Sequence, residues 1–204
     1  MKFQNLFSSF VAVDQLENDL DNDAIVDFVY ERRKDDSKFK WAGAYSSGHL
    51  PLELLEKEPL KALVEQMDIR IRRVRDTIGI RNDVPHRIVN YWANIFEPTG
   101  ANHIPAHPPH IHANYFLSVV YYPKAGERAG DLTLMSPFNA VEATMPFKHI
   151  NEFSSWTASR WLVKPEPAKL VIFPSWVMHY VNTNLGDEDR ISIAFNIALP
   201  HVDL

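Results

Sequence analysis

With 204 residues, 46% of them hydrophobic, and a net charge of −5 from 26 acidic and 21 basic side chains, the chain has the size of one domain spanning 1–204, large enough to bury roughly 70% of the surface its unfolded form exposes. Interspersed charges without a basic cluster exclude a general polyanion binder, so nucleic acid is not an expected partner. The absence of cysteine excludes disulfides, thiolate metal sites and a cysteine nucleophile, and no apolar run is long enough for a signal or a membrane span, so the expectation is a cytoplasmic protein whose metal ligands, if any, are His, Asp or Glu.

Residues 1–85 read as an N-terminal strand with supporting helices. Asn22 or Asp23 caps a helix carrying Ile25, Phe28, Val29 and Arg32, and Pro59 opens a stronger one. In that second helix Leu60, Leu63, Val64, Met67, Ile71, Val74 and Ile78 recur at helical spacing, with charged residues off the stripe. Exposed apolar positions on these helices are the expected place for a homodimer contact. From residue 86 the pattern becomes strand-like, with strands expected over Ile88–Phe96, Asn114–Tyr122, Asp131–Met135, Lys169–Phe173 and Arg190–Ala198. Helices followed by a series of short strands imply an α+β, mainly β chain, with 86–204 forming a jelly-roll core under the N-terminal helices. Residues 136–168, with Trp156, Arg160 and Trp161 and no clear period, are a candidate lid.

Four histidines, His103, His107, His110 and His112, fall in a Pro-rich stretch. His103 and His107 read as surface loop residues. His110 and His112 lead into an apolar strand, where period-two alternation would place both rings on one face together with Asn114, Phe116, Ser118, Val120 and Tyr122. A third imidazole, His179, follows the apolar Phe173-Pro174-Ser175-Trp176, which places it at a strand mouth. Together the three can close a metal site, and no adjacent carboxylate offers itself as the base of a zinc hydrolase. In the last strand Arg190, Ser192, Ala194 and Asn196 alternate with Ile191, Ile193, Phe195 and Ile197. An Arg directed into a small barrel demands an anion, since a buried unpaired charge is very costly. Trp176 and Tyr121 are candidates for pocket lining, with core packing the commoner role for each.

His110-Ile111-His112, Leu117-Ser118-Val119-Val120-Tyr121-Tyr122, Phe173-Pro174-Ser175-Trp176, His179 and Arg190-Ile191-Ser192-Ile193-Ala194-Phe195-Asn196 together resemble the iron(II)- and 2-oxoglutarate-dependent oxygenases. The likeness covers roughly Tyr91 to Ala198. It implies a double-stranded β-helix (jelly roll, cupin-like) with Fe(II) on His110, His112 and His179, and 2-oxoglutarate reaching inward to Arg190 and Ser192. Asn94 corresponds to a co-substrate contact, while Phe96 stands where some relatives carry a Tyr. The implied activity is oxidative decarboxylation of 2-oxoglutarate with O2, coupled to hydroxylation of a C–H bond in a small molecule or peptide side chain. Two departures stand out: His112 occupies the place usually taken by Asp, leaving the metal centre one unit more positive, and Val119 replaces a usual Gly. A three-histidine cupin-type dioxygenase independent of 2-oxoglutarate and a non-catalytic jelly-roll binding protein are the alternatives.

Overall fold

The computed structural model describes all residues except 5, 17–19, 36–39, 42–43, 100–106, 139–143 and 201–204. In chain order it contains β1 (Ala12–Gln15), α1 (Asn22–Asp35), β2 (Lys40–Trp41), β3 (Ala44–Ser46), α2 (Leu60–Thr77), β4 (Arg87–Phe96), β5 (His107–His110), β6 (Leu117–Lys124), β7 (Leu132–Met135), β8 (Arg160–Val163), β9 (Lys169–Pro174), β10 (His179–Val181) and β11 (Arg190–Ala198). A seven-stranded sheet runs β1-β9-β6-β11-β4-β3-β2 and a four-stranded sheet runs β5-β10-β7-β8. The pairings are antiparallel throughout. This is the expected mainly β, double-stranded β-helix architecture. β1, β2 and β3, from the N-terminal part of the chain, join the large sheet.

Period-two alternation decides what each face of the large sheet carries. Tyr91, Ala93, Ile95, Val119, Tyr121, Ile172, Ile191, Ile193, Phe195 and Ile197 point to one side and pack with Ile25 and Val29 of α1 and Leu60, Leu63, Met67, Ile71 and Val74 of α2 in a single buried cluster. Val119 is thus a core residue. The opposite side faces the smaller sheet, where Tyr122, Val171 and Phe173 meet Leu132, Leu134, Val163 and Val177. Tyr121 lies in the helix-side core and its hydroxyl donates to the Asn22 side chain, whereas Trp176 is 50% exposed; neither lines the functional cavity described below.

Helix α2 begins after Pro59 as expected. Helix α1 is capped by Asp21, whose carboxylate accepts the Ala24 backbone N–H at 3.0 Å, and not by Asn22 or Asp23, which already lie inside the helix. At its far end, Arg33 pairs with Glu97 and the Tyr30 hydroxyl donates to Asp189 at 2.9 Å, tying α1 to the segments flanking β4 and β11. Ile69 and Ile78 are exposed, in the region expected for a dimer contact. No described helix is long and apolar enough to cross a membrane.

Candidate metal and dicarboxylate site

The strand expected over Asn114–Tyr122 starts instead at Leu117 and extends to Lys124. Asn114 has φ +71° within a turn, so the chain reverses between the histidines and the strand. His110 and His112 therefore do not ride on one strand with Ser118. His110 ends β5, where it lies opposite His179 of β10. His112 follows just beyond, its backbone N–H donating to the Ser175 carbonyl at 2.9 Å. Ser175 is fully buried and donates its hydroxyl to the Tyr115 carbonyl; the Phe-Pro-Ser-Trp turn thus holds the segment that carries His112.

The outcome is the convergence expected from sequence, reached by strand pairing. Ligand-capable nitrogens of His110, His112 and His179 all lie within 4.8 Å of one another, and their ring centroids are 4.3–5.1 Å apart. Among the described residues no Asp or Glu joins this group. Nδ1 of His179 lies 2.9 Å from the Val177 carbonyl and Nδ1 of His110 2.8 Å from the Pro108 carbonyl. A carbonyl only accepts, so both rings carry their proton on Nδ1 and leave Nε2 free as a ligand.

Burial keeps the His112 and His179 imidazoles neutral. It pushes His179 down to about 3, opposed by its bond to the Val177 carbonyl and reinforced by the neighbouring rings. Burial likewise pushes His112 down to about 4, helped by His110, His107 and His49. Neutral imidazole is the form that binds a metal. The unfolded chain titrates near the ordinary 6.5, so below that pH it takes up protons that the folded, metal-free protein refuses. Stability is therefore present above about pH 6.5 and lost as pH falls toward the depressed values. The metal-free protein should melt at a lower temperature at about pH 5 than at about pH 7, and a His179→Ala variant should show a smaller fall; equal falls in calorimetry would contradict this assignment.

The inner face of the large sheet supplies the rest of the cavity. Arg190 is 1% exposed. Its guanidinium lies 4.9 Å from the Tyr122 ring centroid and 5.3 Å from that of Phe96, and Nη2 donates to the Tyr122 hydroxyl at 3.2 Å. Among the described residues, Nε and Nη1 have no hydrogen-bond partner. An ionised group so placed costs several kcal/mol unless an anion joins it. Ser192 and Asn94 sit directly opposite each other across β11 and β4, and both are buried in the same cavity. The donor set fits the implied groups: imidazoles for a divalent metal at one end, unsatisfied guanidinium N–H groups for a carboxylate at the other.

Trp92 is a cavity residue that the sequence does not single out, and Tyr122, expected on the inner face, lies there. The Trp92 ring centroid is 5.4 Å from that of His112; the alternation 92/94/96 on β4 and 118/120/122 on β6 was the available signal. His107 is half-buried and lines the cavity, contrary to its surface expectation, because β5 pairs with β10 at Val181. His103 lies outside the described residues. Part of the candidate lid is the strand β8, paired with β7, and residues 139–143 lie outside the described residues; Trp156 and Trp161 are exposed.

Residues 90–196 match the family model described as "Putative 2OG-Fe(II) oxygenase". Among solved structures, a Trichoplax adhaerens prolyl hydroxylase in complex with a hypoxia inducible factor oxygen degradation domain peptide fragment is similar at TM-score 0.61 and 14% identity, covering 92% of this chain and 83% of that one. A Pseudomonas putida prolyl-4-hydroxylase is similar at TM-score 0.55 and 15% identity, covering 94% and 93%. HygX from Streptomyces hygroscopicus, with nickel and 2-oxoglutarate bound, is similar at TM-score 0.52 and 13% identity, covering 93% and 83%. No curated protein matches the chain. The family model spans all three clustered imidazoles and the buried guanidinium, over more than half of the sequence, and the chain belongs to the 2OG-Fe(II) oxygenase family.

Proposed function

We propose that this oxygenase holds Fe(II) on His110, His112 and His179, binds 2-oxoglutarate with its distal carboxylate on Arg190, and hydroxylates a C–H bond of a small molecule or a peptide side chain. The observation that carries the reading is the buried Arg190 guanidinium with two donor atoms unpartnered among the described residues, in one cavity with three clustered imidazoles. When bound, Fe(II) with 2-oxoglutarate and O2 supplies oxidative decarboxylation to succinate and CO2 coupled to substrate oxidation.

The chain's own groups do the positioning. His110 and His179 are held by backbone carbonyls in the tautomer that leaves Nε2 free, and His112 is held through its backbone on the Ser175 turn. Arg190, stacked between Phe96 and Tyr122, would take the distal carboxylate in charge-assisted bonds, with Ser192 and Asn94 adding neutral ones. Phe96 cannot offer the hydroxyl found at its place in some relatives; Tyr122 brings one to Arg190 instead. The apolar wall of Phe173, Val120 and Leu132 keeps water from competing for those donors. The relatives support the substrate classes: one is bound to a peptide fragment and another to 2-oxoglutarate.

The all-imidazole ligand group favours, as a second reading, a dioxygenase that needs no 2-oxoglutarate, but that reading leaves Arg190 without a partner. Purified protein loaded with Fe(II) should consume O2 and form succinate from 2-oxoglutarate, slowly without substrate and faster with one. O2 consumption that proceeds equally well without 2-oxoglutarate would select the second reading instead.

A further inference from the structure

His107 has no place in the ligand set, yet it lines the cavity with Arg190 and the three clustered imidazoles. Its Nδ1 lies 3.1 Å from Nδ1 of His110, and the two ring centroids are 4.3 Å apart. With His110 ligating through Nε2, its Nδ1 carries the proton, which the Pro108 carbonyl 2.8 Å away accepts. Two protonated Nδ1 atoms would repel at this distance, so Nδ1 of His107 is the bare, accepting one. The N–H of His110 is thus shared between the Pro108 carbonyl and the His107 ring, and the His107 proton resides on Nε2.

Resting on the iron-site reading above, we propose that His107 is a positioning residue for the metal ligand His110. It acts as a second acceptor that fixes the ring's orientation and tautomer and raises the electron density at the ligating Nε2. Partners of this kind orient metal-bound histidines and commonly are carboxylates or backbone carbonyls. Here a neutral imidazole supplements the carbonyl. It is held in place because β5 pairs with β10, putting His107 opposite Val181 and His110 opposite His179: the same ladder that aligns two ligands also delivers the residue behind one of them. A carboxylate in this position would add negative charge to the cavity that Arg190 prepares for an anion; an imidazole does not.

The test compares His107→Phe, which keeps the planar bulk and loses the acceptor, with His107→Asn, which keeps an acceptor near the Nδ1 position. Metal-free full-length protein is titrated anaerobically with Fe(II) against a competing chelator, and with Co(II) while the visible ligand-field bands are followed. His107→Phe should weaken Fe(II) binding roughly 10- to 100-fold, the range for loss of an outer-shell partner, and shift the Co(II) bands. His107→Asn should stay within about 3-fold of the wild type with little band shift. Unchanged affinity and bands in His107→Phe would overturn the proposal and leave the metal site standing. A wild-type protein that binds neither metal would overturn the metal site itself, and the proposal with it.

Discussion

Replacing Arg190 by Met should weaken 2-oxoglutarate binding on the order of 10²- to 10³-fold while iron content stays at the wild-type level. The size follows from removing one partner of a buried charge pair, which costs about 3–5 kcal/mol, or roughly two to three decades in affinity. The remaining carboxylate would face the Tyr122 hydroxyl, Ser192 and Asn94, all neutral donors. The same substitution should stabilise the ligand-free protein. There the guanidinium is 1% exposed with Nε and Nη1 unpartnered among the described residues, and an apolar side chain of comparable length between Phe96 and Tyr122 removes that desolvation cost. A melting temperature raised by at least about 2–4 °C corresponds to about 1 kcal/mol in a chain of this size. Arg190→Lys should not rescue binding, because an ammonium lacks the planar fork and stacks poorly between two rings. Isothermal titration with 2-oxoglutarate, paired with metal analysis, reads both effects; unchanged co-substrate affinity would remove Arg190 from the clamp.

His179→Ala should fail differently, losing metal, co-substrate binding and turnover together. His179 is 4% exposed, lies opposite both His110 and Leu134 in its sheet, and sits edge-on to Phe173 at 4.8 Å between centroids. Its removal leaves two imidazoles for the metal, a Val177 carbonyl without its side-chain donor, and a gap beside Phe173. Iron per chain should fall close to zero at micromolar Fe(II), and succinate formation should drop by at least about 10³-fold, as expected when a group essential to the chemistry is removed. The contrast with Arg190→Met is the informative part: one variant separates iron from co-substrate and the other abolishes both. A His179→Ala protein that retains iron would move the metal away from this trio.

How much of this was legible in the sequence depended on whether the signal was local. The last strand was fully readable: Ile191, Ile193, Phe195 and Ile197 enter the helix-side core and Arg190, Ser192 and Asn196 the other face, because alternation along one strand needs no knowledge of its neighbours. Helix α2 was readable for the same reason. The three imidazoles do come together as the sequence leads one to expect, but the reason that His110 and His112 converge is not legible there. A turn at Asn114, with φ +71°, cuts the presumed strand, and the rings meet through the β5–β10 ladder and the Ser175 turn, which are contacts between distant segments. Short elements such as β5 and β10, with 4 and 3 residues, carry too few residues to display a period. His107 was misjudged on that account, since its burial comes entirely from pairing. Tyr122 was placed on the inner face but not assigned to Arg190, because register between β6 and β11, with its irregularity between Ile191 and Ile193, cannot be read from either strand alone.

Anaerobic addition of 2-oxoglutarate to the Fe(II)-loaded protein, followed by visible absorption, tests the paired metal and dicarboxylate sites most directly. A weak charge-transfer band should grow to saturation at one equivalent per chain, persist at wild-type intensity in Arg190→Met only at far higher 2-oxoglutarate, and be absent from His179→Ala. Tight iron binding with no band at any 2-oxoglutarate concentration would contradict the account.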